Sequence, residues 1–268
     1  MPTALVTGAT AGIGAAFARL LAREGYDLVL VARDAERLEG VATELRASST
    51  RPSEGTLSDG VSVEVLAADL TDDGQRQRVE QRLADSSRPI EVLVNNAGIS
   101  TPRGFVRGSV EDEERLLRLN VLAPMRLAKA VVPGMVERSR GAVINVSSVA
   151  GFLPYSMYSA SKAWVTSFSE ALAVELDGTG VRVVALCPGM VRTEFHERAG
   201  MDVSNIPGWS WLDSDAVAAA GWRGVTTGRV LVVPSPLYRA LVTVLRHLPP
   251  RLSLRVARST RQRRRRPR

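Results

Sequence analysis

The chain has 268 residues, of which 45% are apolar and 24% are charged, the composition of a globular protein with a large core. Its length fits one α/β domain. The single cysteine, Cys187, excludes an intrachain disulfide and fits a reducing compartment, so we expect a cytoplasmic protein. The N-terminus lacks the basic and apolar regions of a signal peptide, and no apolar run has the length of a membrane span.

The formal net charge of +7 is concentrated at one end of the chain. Residues 246–268 contain ten arginines and no acidic residue, and subtracting these ten charges leaves −3 on residues 1–245. The positive charge therefore characterises the C-terminal tail and says little about an active site in the rest of the chain.

Apolar runs alternate with amphipathic stretches along most of the sequence. The runs are rich in Val, Leu and Ile, which predicts strands buried on both faces, at 3–8, 26–32, 62–68, 90–95, 142–148, 181–187 and 229–233. Helical periodicity predicts helices at 12–24, 34–47, 72–85, 110–137, 157–177 and 213–226. This alternation predicts an α/β fold: a Rossmann-type doubly wound parallel sheet of about seven strands with helices on both faces.

The remaining segments fit neither period. The polar stretch 48–60 predicts a loop, and 194–212, which contains Gly, Pro and two tryptophans, is interpreted as a mobile flap. We therefore predict one catalytic domain over 1–235, which includes a substrate flap at 194–226. An amphipathic helix and an Arg-rich tail follow at 236–268.

The first predicted strand ends in a glycine-rich turn, and an amphipathic helix follows. The turn reads Thr7-Gly8-Ala9-Thr10-Ala11-Gly12-Ile13-Gly14. Glycines allow a sharp turn and a close approach of backbone to a pyrophosphate, and the N-terminus of the helix offers free N–H groups to the phosphates. A tight turn without a ligand is the alternative, but the position between a first strand and a first helix favours a dinucleotide site.

Tyr158 and Lys162 lie at positions i and i+4 of a predicted helix, so both side chains leave one face. Reduction of a ketone leaves negative charge on oxygen, which needs a proton. Tyrosine has a pKa of about 10, and a nearby ammonium favours tyrosinate and lowers that pKa. We find no cluster of metal ligands, since the only histidines are His196 and His247, and we expect no metal.

Four motifs together resemble the classical short-chain dehydrogenase/reductase family. They are the Gly8-x3-Gly12-x-Gly14 turn, Asn95-Asn96-Ala97-Gly98, the Tyr158-x3-Lys162 pair and the Pro188-Gly189-x3-Thr193 element, and the resemblance covers about 1–193 and the strand at 229–233. It implies that Ser148, which precedes Val-Ala-Gly, positions the substrate oxygen. It also implies that Asn120 kinks its helix and holds a water in a proton relay to Lys162. The interval from Ser148 to Tyr158 is shorter than the family often has, which shortens loop 149–157.

The resemblance also implies a set of cofactor contacts. They come from Gly8, Thr10, Gly12, Ile13, Gly14, Asp69, Leu70, Asn96, Ala97, Gly98, Tyr158, Lys162, Pro188, Gly189, Val191 and Thr193. Arg33 lies where similar proteins use a base against the 2′-phosphate of NADP, so we expect NADP(H) to be preferred over NAD(H). Alternatively, Arg33 is a solvated residue at a helix start that Asp34 caps. Ala11, where the family often has a second base, is not basic.

We therefore expect an enzyme that transfers a hydride between a nicotinamide and a carbonyl or secondary alcohol. A lipophilic substrate is expected if the apolar residues near the flap form a pocket, though they could equally pack the flap: Phe152, Leu153, Met157, Met190, Phe195, Trp209 and Trp211. The alternative is a non-catalytic NADP(H) sensor docked through its basic tail. An epimerase or dehydratase is a further option on the same fold. The family implies a homodimer or homotetramer through helices 110–137 and 157–177.

The C-terminal segment carries leucines and valines on one face of a helix, followed by arginines. These are Leu237, Leu241, Val244, Leu245 and Leu248, and Pro249-Pro250 ends the helix. One interpretation is a peripheral membrane contact, because an apolar face and a polybasic patch suit anionic lipid. A helix packed on the body or on a partner subunit, ending in a disordered, solvated tail, is another. Loose nucleic-acid binding is a third, which we do not expect.

Overall fold

The computed structural model describes residues 1–48, 52–53, 56–57, 60–101, 103–200, 202–204 and 206–263. Within these residues, strands and helices alternate along the chain. The strands of the main sheet are β1 Thr3–Thr7, β2 Asp27–Ala32, β3 Val63–Ala67, β4 Ile90–Asn95, β5 Gly141–Val146, β6 Val181–Leu186 and β7 Leu231–Val232.

The helices connect successive strands and continue beyond the last one. They are α1 Gly12–Arg23, α2 Ala35–Ser48, α3 Asp73–Ala84, α4 Val110–Leu117, α5 Ala123–Glu137, α6 Met157–Glu175, α7 Phe195–Arg198, α8 Ser214–Thr227, α9 Pro236–His247 and α10 Pro250–Arg263. A π-helical segment, Arg118–Leu122, joins α4 to α5 without a break. Short 3₁₀ turns lie at Val149–Phe152 and Gly208–Ser210.

The main sheet has the order β7-β6-β5-β4-β1-β2-β3, and every neighbouring pair is parallel. The order of the strands reverses between β1 and β4, which is where ligands bind in open α/β sheets, beyond the carboxyl ends of the strands. The predicted Rossmann-type doubly wound sheet is therefore confirmed.

Alternate residues of each strand enter opposite layers, because successive side chains in a strand point to opposite faces. In β1, Ala4 and Val6 join the core that contains Phe17 of α1. Leu5 joins the other core, which contains Leu127 of α5. Both faces of the sheet are thus covered by helices, and this explains why its strands read as continuous apolar runs.

The helix Val110–Glu137 is, among the described residues, the one that is long and apolar enough to cross a membrane by length and composition. Its inner residues Leu116, Leu127, Val131 and Met135 are nevertheless buried, the last three of them in the core against the sheet. That burial is typical of a core helix in a globular fold.

The last strand is shorter than the prediction of 229–233. Gly228 ends α8 in the left-handed conformation, and the Arg229 N–H donates to Gly224 O at 2.9 Å. That N–H completes the end of the helix and is not available to the sheet. Pairing therefore covers Leu231–Val232, and Pro234, which has no N–H, follows.

The proline pair at 249–250 ends one helix and starts another. Pro250 occupies the first turn of α10, where its missing N–H costs no hydrogen bond. The interpretation of residues 250–263 as a disordered tail is therefore wrong, because they are helical. Residues 264–268 lie outside the described part of the chain.

The two predicted irregular segments contain short regular elements. In 48–60, residues Pro52–Ser53 and Thr56–Leu57 form an antiparallel pair, while 49–51, 54–55 and 58–59 lie outside the described residues. In the flap, α7 and the 3₁₀ turn at 208–210 precede Trp211–Leu212. That short strand pairs in parallel with Met190–Val191.

Candidate active site

The glycine-rich turn between β1 and α1 leaves no room for a side chain at any of its three glycines. Gly8 and Gly12 have φ values of +66° and +54°, the left-handed region that favours glycine. A Cβ on Gly14 would lie 2.1 Å from Gly8 O, and one on Gly12 would lie 2.6 Å from Thr193 Cγ2. Ala11 caps α1 without a side-chain hydrogen bond, so the first N–H groups of the helix remain suited to an anion.

The loop after β4 is fixed beside this turn by side-chain hydrogen bonds. Asn96 Nδ2 donates to Thr7 O at 2.9 Å and to Gly8 O at 3.2 Å. Thr7 Oγ1 accepts from the N–H groups of Asn96 at 2.9 Å and Ala97 at 3.0 Å. The structure thus brings the predicted Asn-Ala-Gly contacts to the turn. Thr7 opens the predicted glycine-rich turn, but its place in the sequence gave no indication that its hydroxyl holds the loop after β4.

A buried polar chain runs beneath this edge of the sheet. Asn95 Nδ2 donates to Asn145 Oδ1 at 2.9 Å, and Asn145 Nδ2 donates to Ser169 Oγ at 2.9 Å. Asn95 Oδ1 has no hydrogen-bond partner among the described residues. It borders a small cavity of about 10 Å³ that Asn120 and Lys162 also line. That volume is close to what one water needs, and these polar groups are suitable partners for it.

The side chains of Ser148 and Tyr158 meet at the carboxyl end of β5. Ser148 follows this strand and accepts a hydrogen bond from the Ala150 N–H at 3.1 Å. Tyr158 lies in the first turn of α6, whose start is fixed by reciprocal bonds between Ser156 and Ser159. The Ser148 side chain interacts with the Tyr158 hydroxyl and favours its ionised form. The predicted pair is therefore assembled.

Lys162 is buried one turn further along α6, at 5% exposure. Its Nζ donates to Val146 O at 2.7 Å and lies 5.8 Å from the centroid of the Tyr158 ring. A Cβ on Gly98 would lie 3.4 Å from this Nζ, so the loop after β4 packs closely over the lysine. Tyr158 and Lys162 thus lie on one face of α6, as their spacing of four residues predicts.

Burial acts on both ionisable groups of this face, in opposite directions. It raises the pKa of Tyr158 above its usual value, and the interaction with Ser148 opposes that shift. It lowers the pKa of Lys162 to about 8, with a smaller opposite effect from Cys187. The sequence predicts that Lys162 lowers the pKa of Tyr158; the structure corrects this, because burial makes the ionised tyrosine costly and raises its pKa.

Asn120 lies inside the π-helical segment between α4 and α5. Its Oδ1 accepts from Ile99 N at 2.9 Å, and its Nδ2 donates to Ile99 O at 2.8 Å and Ser161 Oγ at 3.1 Å. These bonds tie the loop after β4 to α6. A π-helical turn interrupts the regular α-helical hydrogen bonds, so the predicted distortion of the helix is present at this residue.

The adenosine end of the expected site is more open. Arg33 is exposed after β2, and Asp34 accepts a hydrogen bond from Arg37 N at 3.0 Å, as the alternative interpretation of Arg33 expects. Burial alone would raise the pKa of Asp69, but hydrogen bonds from Thr71 and the charges of Arg33 and Arg115 lower it overall. Arg33 and Asp69 therefore lie close together beyond the carboxyl ends of the neighbouring strands β2 and β3.

Tyr238 of α9 holds the predicted nicotinamide loop in place. Its hydroxyl accepts from Met190 N at 3.2 Å and donates to Ser210 O at 2.9 Å. A Cβ on Gly189 would lie 2.1 Å from the Tyr238 ring. One side chain thus joins the loop after β6 to the flap. This role of Tyr238 could not be predicted from the sequence, because a tyrosine on an apolar helix face indicates packing and nothing more.

Aromatic residues of the flap lie beside Tyr158. The rings of Phe195 and Tyr158 are 5.5 Å apart, and His196 contacts both Phe195 and Trp211 at 5.7 Å and 5.1 Å. Trp209, which was expected in the same pocket, is 73% exposed. The remaining expected pocket residues are partly buried: Phe152, Leu153, Met157 and Met190.

The flap is also tied to the turn at the cofactor end. Glu194 Oε1 lies 2.9 Å from Arg37 Nη2, and Arg198 pairs with the same carboxylate. Arg37 Nη2 in turn donates to Thr10 O at 3.5 Å. These groups are exposed, so each pair adds little stability on its own. No group of three or more potential metal ligands occurs within the residues that the structure describes.

Comparisons with known proteins agree with this geometry. The short chain dehydrogenase family matches residues 2–203. The chain is similar to the NADP-dependent 3-hydroxy acid dehydrogenase of Salmonella typhimurium, with 39% identity over 81% of this chain and 86% of that protein. It is 36% identical to the very-long-chain 3-oxoacyl-CoA reductase of Anas platyrhynchos. The aligned region covers 72% of this chain and 60% of that reductase.

A solved structure supports the same assignment. A short-chain dehydrogenase from Sphingobium yanoikuyae, in complex with NADPH, has a TM-score of 0.80 and 38% identity, over 93% of this chain and 97% of that chain. The matched family covers well over half of the chain. The chain therefore belongs to the short-chain dehydrogenase/reductase family, and it is an NAD(P)-dependent oxidoreductase that transfers a hydride between a nicotinamide and a carbonyl or alcohol carbon.

Proposed function

We propose that the protein is an NADP(H)-dependent carbonyl reductase or secondary-alcohol dehydrogenase for lipophilic substrates. We propose Asn120, Ser148, Tyr158 and Lys162 as its catalytic residues. The observation that carries the proposal is that the Nζ of buried Lys162 lies 5.8 Å from the centroid of the Tyr158 ring, while Ser148 interacts with the Tyr158 hydroxyl. We further propose that residues 1–235, with the flap at 194–226, form the catalytic unit of a cytoplasmic protein.

The chain offers a cradle that fits a dinucleotide. The close approaches at Gly8, Gly12 and Gly14 leave backbone exposed where a pyrophosphate would lie, next to the N-terminus of α1. Thr193 borders this turn, and we propose that Lys162, which is buried beneath Gly98, binds the ribose hydroxyls. The bound nicotinamide supplies or accepts the hydride.

The side chains of the site would supply the proton and the orientation. During reduction, the Ser148 hydroxyl donates a hydrogen bond to the substrate oxygen and positions it. Tyr158 transfers its hydroxyl proton to that oxygen as negative charge develops there. Oxidation of an alcohol reverses both roles. Asn120 fixes the loop after β4 against α6, and the cavity between Asn120 and Lys162 has room for about one water in a proton relay.

The opposite pKa shifts of Tyr158 and Lys162 suit a shared proton. Burial disfavours tyrosinate alone and ammonium alone. A tyrosinate beside an ammonium has no net charge, so their mutual attraction offsets part of the cost of burying each charge. Loss of the tyrosine proton is therefore easiest when Lys162 is charged. The non-catalytic sensor alternative has no support from this geometry, since a sensor needs no such pair.

A lipophilic substrate is supported by the aromatic rings near the site. Phe195 contacts Tyr158, and Trp211 contacts His196. We expect kcat/KM for NADPH-dependent reduction to rise about fourfold for each methylene added to a 2-alkanone, until the pocket is filled. The measurement is the initial rate of NADPH oxidation with 2-butanone, 2-hexanone and 2-octanone. A series in which kcat/KM stays constant or falls would contradict the lipophilic pocket. Acetophenone and cyclohexanone then separate linear from ring-shaped substrates.

The preference for NADP(H) is supported by the exposed Arg33 at the carboxyl end of β2. We expect Arg33→Ala to weaken NADPH binding about tenfold and to leave NADH binding within about twofold, because a guanidinium contributes to binding only if the 2′-phosphate is present. Calorimetry or tryptophan fluorescence gives both dissociation constants. Arg78→Ala, at an exposed arginine on α3, is the matched control. Equal affinities of the wild type for the two cofactors would refute the preference.

Assembly into a homodimer or homotetramer is supported by apolar residues on the outer faces of α4 and α6. Val110 and Leu117 of α4 and Val174 of α6 are all exposed, and the last reaches 78% exposure. Burying such residues against a second copy would remove apolar surface from water. We propose that these helices form the contact between subunits.

A further inference from the structure

The C-terminal helix α9 presents two adjacent apolar stripes, and one of them faces solvent. Tyr238, Val242 and Leu245 are buried against the body. Leu237, Leu241 and Val244 recur at i, i+4 and i+7 on the neighbouring face and are 46%, 42% and 59% exposed. Packing on the body thus accounts for the first stripe, whereas the second remains exposed to solvent among the residues that the structure describes.

Helix α10 repeats the pattern with arginines beside the apolar residues. Leu252 and Val256 lie at i and i+4 and are exposed, as is Leu254. Arg251, Arg255 and Arg258 recur at i, i+4 and i+7 on an adjacent face and are exposed as well. An apolar stripe flanked by cations is typical of a helix that lies in the interface of a membrane.

The charge around these helices is one-sided. Residues 216–268 contain thirteen arginines and no acidic residue. One of the arginines, Arg246, is paired with Glu170 of α6 at 2.7 Å and lies 5.7 Å from the Phe152 ring. This contact attaches α9 to the body next to the turn after Ser148. In α10, the exposed Arg251, Arg255 and Arg258 add positive charge beside the exposed apolar stripe.

We propose that α9 and α10 form a docking surface for an anionic lipid bilayer. A second copy of the chain would bring the same uncompensated arginines together, which opposes self-association through this surface. Nucleic acid would satisfy the arginines but would leave the leucines and valines without an apolar partner. A bilayer with anionic headgroups satisfies both, since arginines bind the headgroups while the apolar side chains enter the acyl boundary.

Docking at this surface would place the reaction centre close to the lipid. Helix α9 contacts the catalytic loops through Arg246 on Phe152 and through Tyr238 on Met190 and Ser210. The substrate loops therefore lie directly behind the docking helices. Docking of this kind would determine where the enzyme is located, and it does not require a lipophilic substrate.

Cosedimentation of the full chain with vesicles tests the proposal. We expect binding to phosphatidylcholine vesicles that contain phosphatidylglycerol, weaker binding at higher salt, and no binding to phosphatidylcholine alone. Arg251→Gln with Arg255→Gln should weaken binding about 25-fold, or about fivefold for each arginine. Leu241→Ser with Val244→Ser should weaken it about tenfold. Thermal midpoints and NADPH-dependent turnover of each variant verify that it is folded.

The loop at 103–107 provides matched controls, because Arg103 and Arg107 flank the exposed Phe105 and Val106. The double variants Arg103→Gln/Arg107→Gln and Phe105→Ser/Val106→Ser remove the same types of group and should leave vesicle binding unchanged. The proposal would be overturned if these loop variants lost vesicle binding while the α9 and α10 variants kept it. It would also be overturned by absence of binding to anionic vesicles, or by duplex DNA that binds more tightly and is unaffected by the Leu241 and Val244 changes.

Discussion

We expect Tyr158→Phe to lower kcat for ketone reduction by about 10²- to 10⁴-fold, because the variant has no proton to give to the developing oxyanion. Cofactor affinity should change by less than about tenfold, since at most one hydrogen bond is lost. Single-turnover absorbance at the nicotinamide band reports the chemical step, and calorimetry reports NADPH binding. The pH dependence of kcat that arises from this tyrosine should also disappear.

The matched control is Tyr26→Phe. Tyr26 lies before β2, at the opposite end of the sheet, where its ring contacts Trp222 at 5.7 Å. The Tyr26→Phe variant loses the same hydroxyl group as Tyr158→Phe and should keep wild-type turnover. Retention of more than about a tenth of wild-type kcat by Tyr158→Phe would refute the proposed role of this tyrosine. A parallel loss of NADPH binding would instead indicate that the substitution disturbs the cofactor site.

The second large effect is expected at the glycine-rich turn. In Gly14→Ala the new Cβ would lie 2.1 Å from Gly8 O and 2.5 Å from Asn96 Nδ2, so the turn must move away from α1. We expect NADPH binding to weaken about 100-fold or more, because a displacement of about 1 Å suffices for such a loss. The overpacked contact should also lower stability by about 1–3 kcal/mol. Calorimetry and thermal unfolding measure the two effects separately.

Gly40→Ala is the corresponding control, because a Cβ at Gly40 in α2 meets no atom within 4 Å. Alanine stabilises an exposed helix relative to glycine by about 1 kcal/mol, so this variant should bind NADPH normally and unfold at a slightly higher temperature. Undiminished NADPH binding by Gly14→Ala would show that the turn does not hold the pyrophosphate. A variant that fails to fold is identified by its unfolding curve, and Gly12→Ala, whose Cβ would meet the Thr193 side chain, then replaces it.

The sheet could be predicted because its signals are local. Parallel strands buried on both faces give continuous apolar runs, and those of β1 to β6 can be read from the sequence within a residue or two at each end. The site could be predicted for a related reason. The carboxyl ends of parallel strands meet at one edge, so residues that follow β1, β4 and β5 must converge. Asn96, which follows β4, accordingly bonds to Thr7 and Gly8 at the end of β1.

The features that could not be predicted depend on contacts between distant residues. Tyr238 bonds to Met190, 48 residues earlier, and nothing around either residue indicates the partnership. The short β7 results from the way α8 ends at Gly228, which uses the Arg229 N–H that a longer strand would need. The direction of the Tyr158 pKa shift depends on how closely the surrounding atoms pack, which no spacing of motifs conveys.

Helix α6 is bonded to the sheet and to its neighbours at several points along its length. Lys162 O accepts from Ser147 Oγ at 2.7 Å, Ser161 bonds to Asn120, and Ser169 bonds to Asn145. The proposed reaction centre therefore belongs to the rigid part of the scaffold, whereas the aromatic residues beside it belong to the separate segment 194–212. If this segment selects the substrate as we propose, we expect that exchanging it, in evolution or in the laboratory, changes the substrate and leaves the reaction itself unchanged.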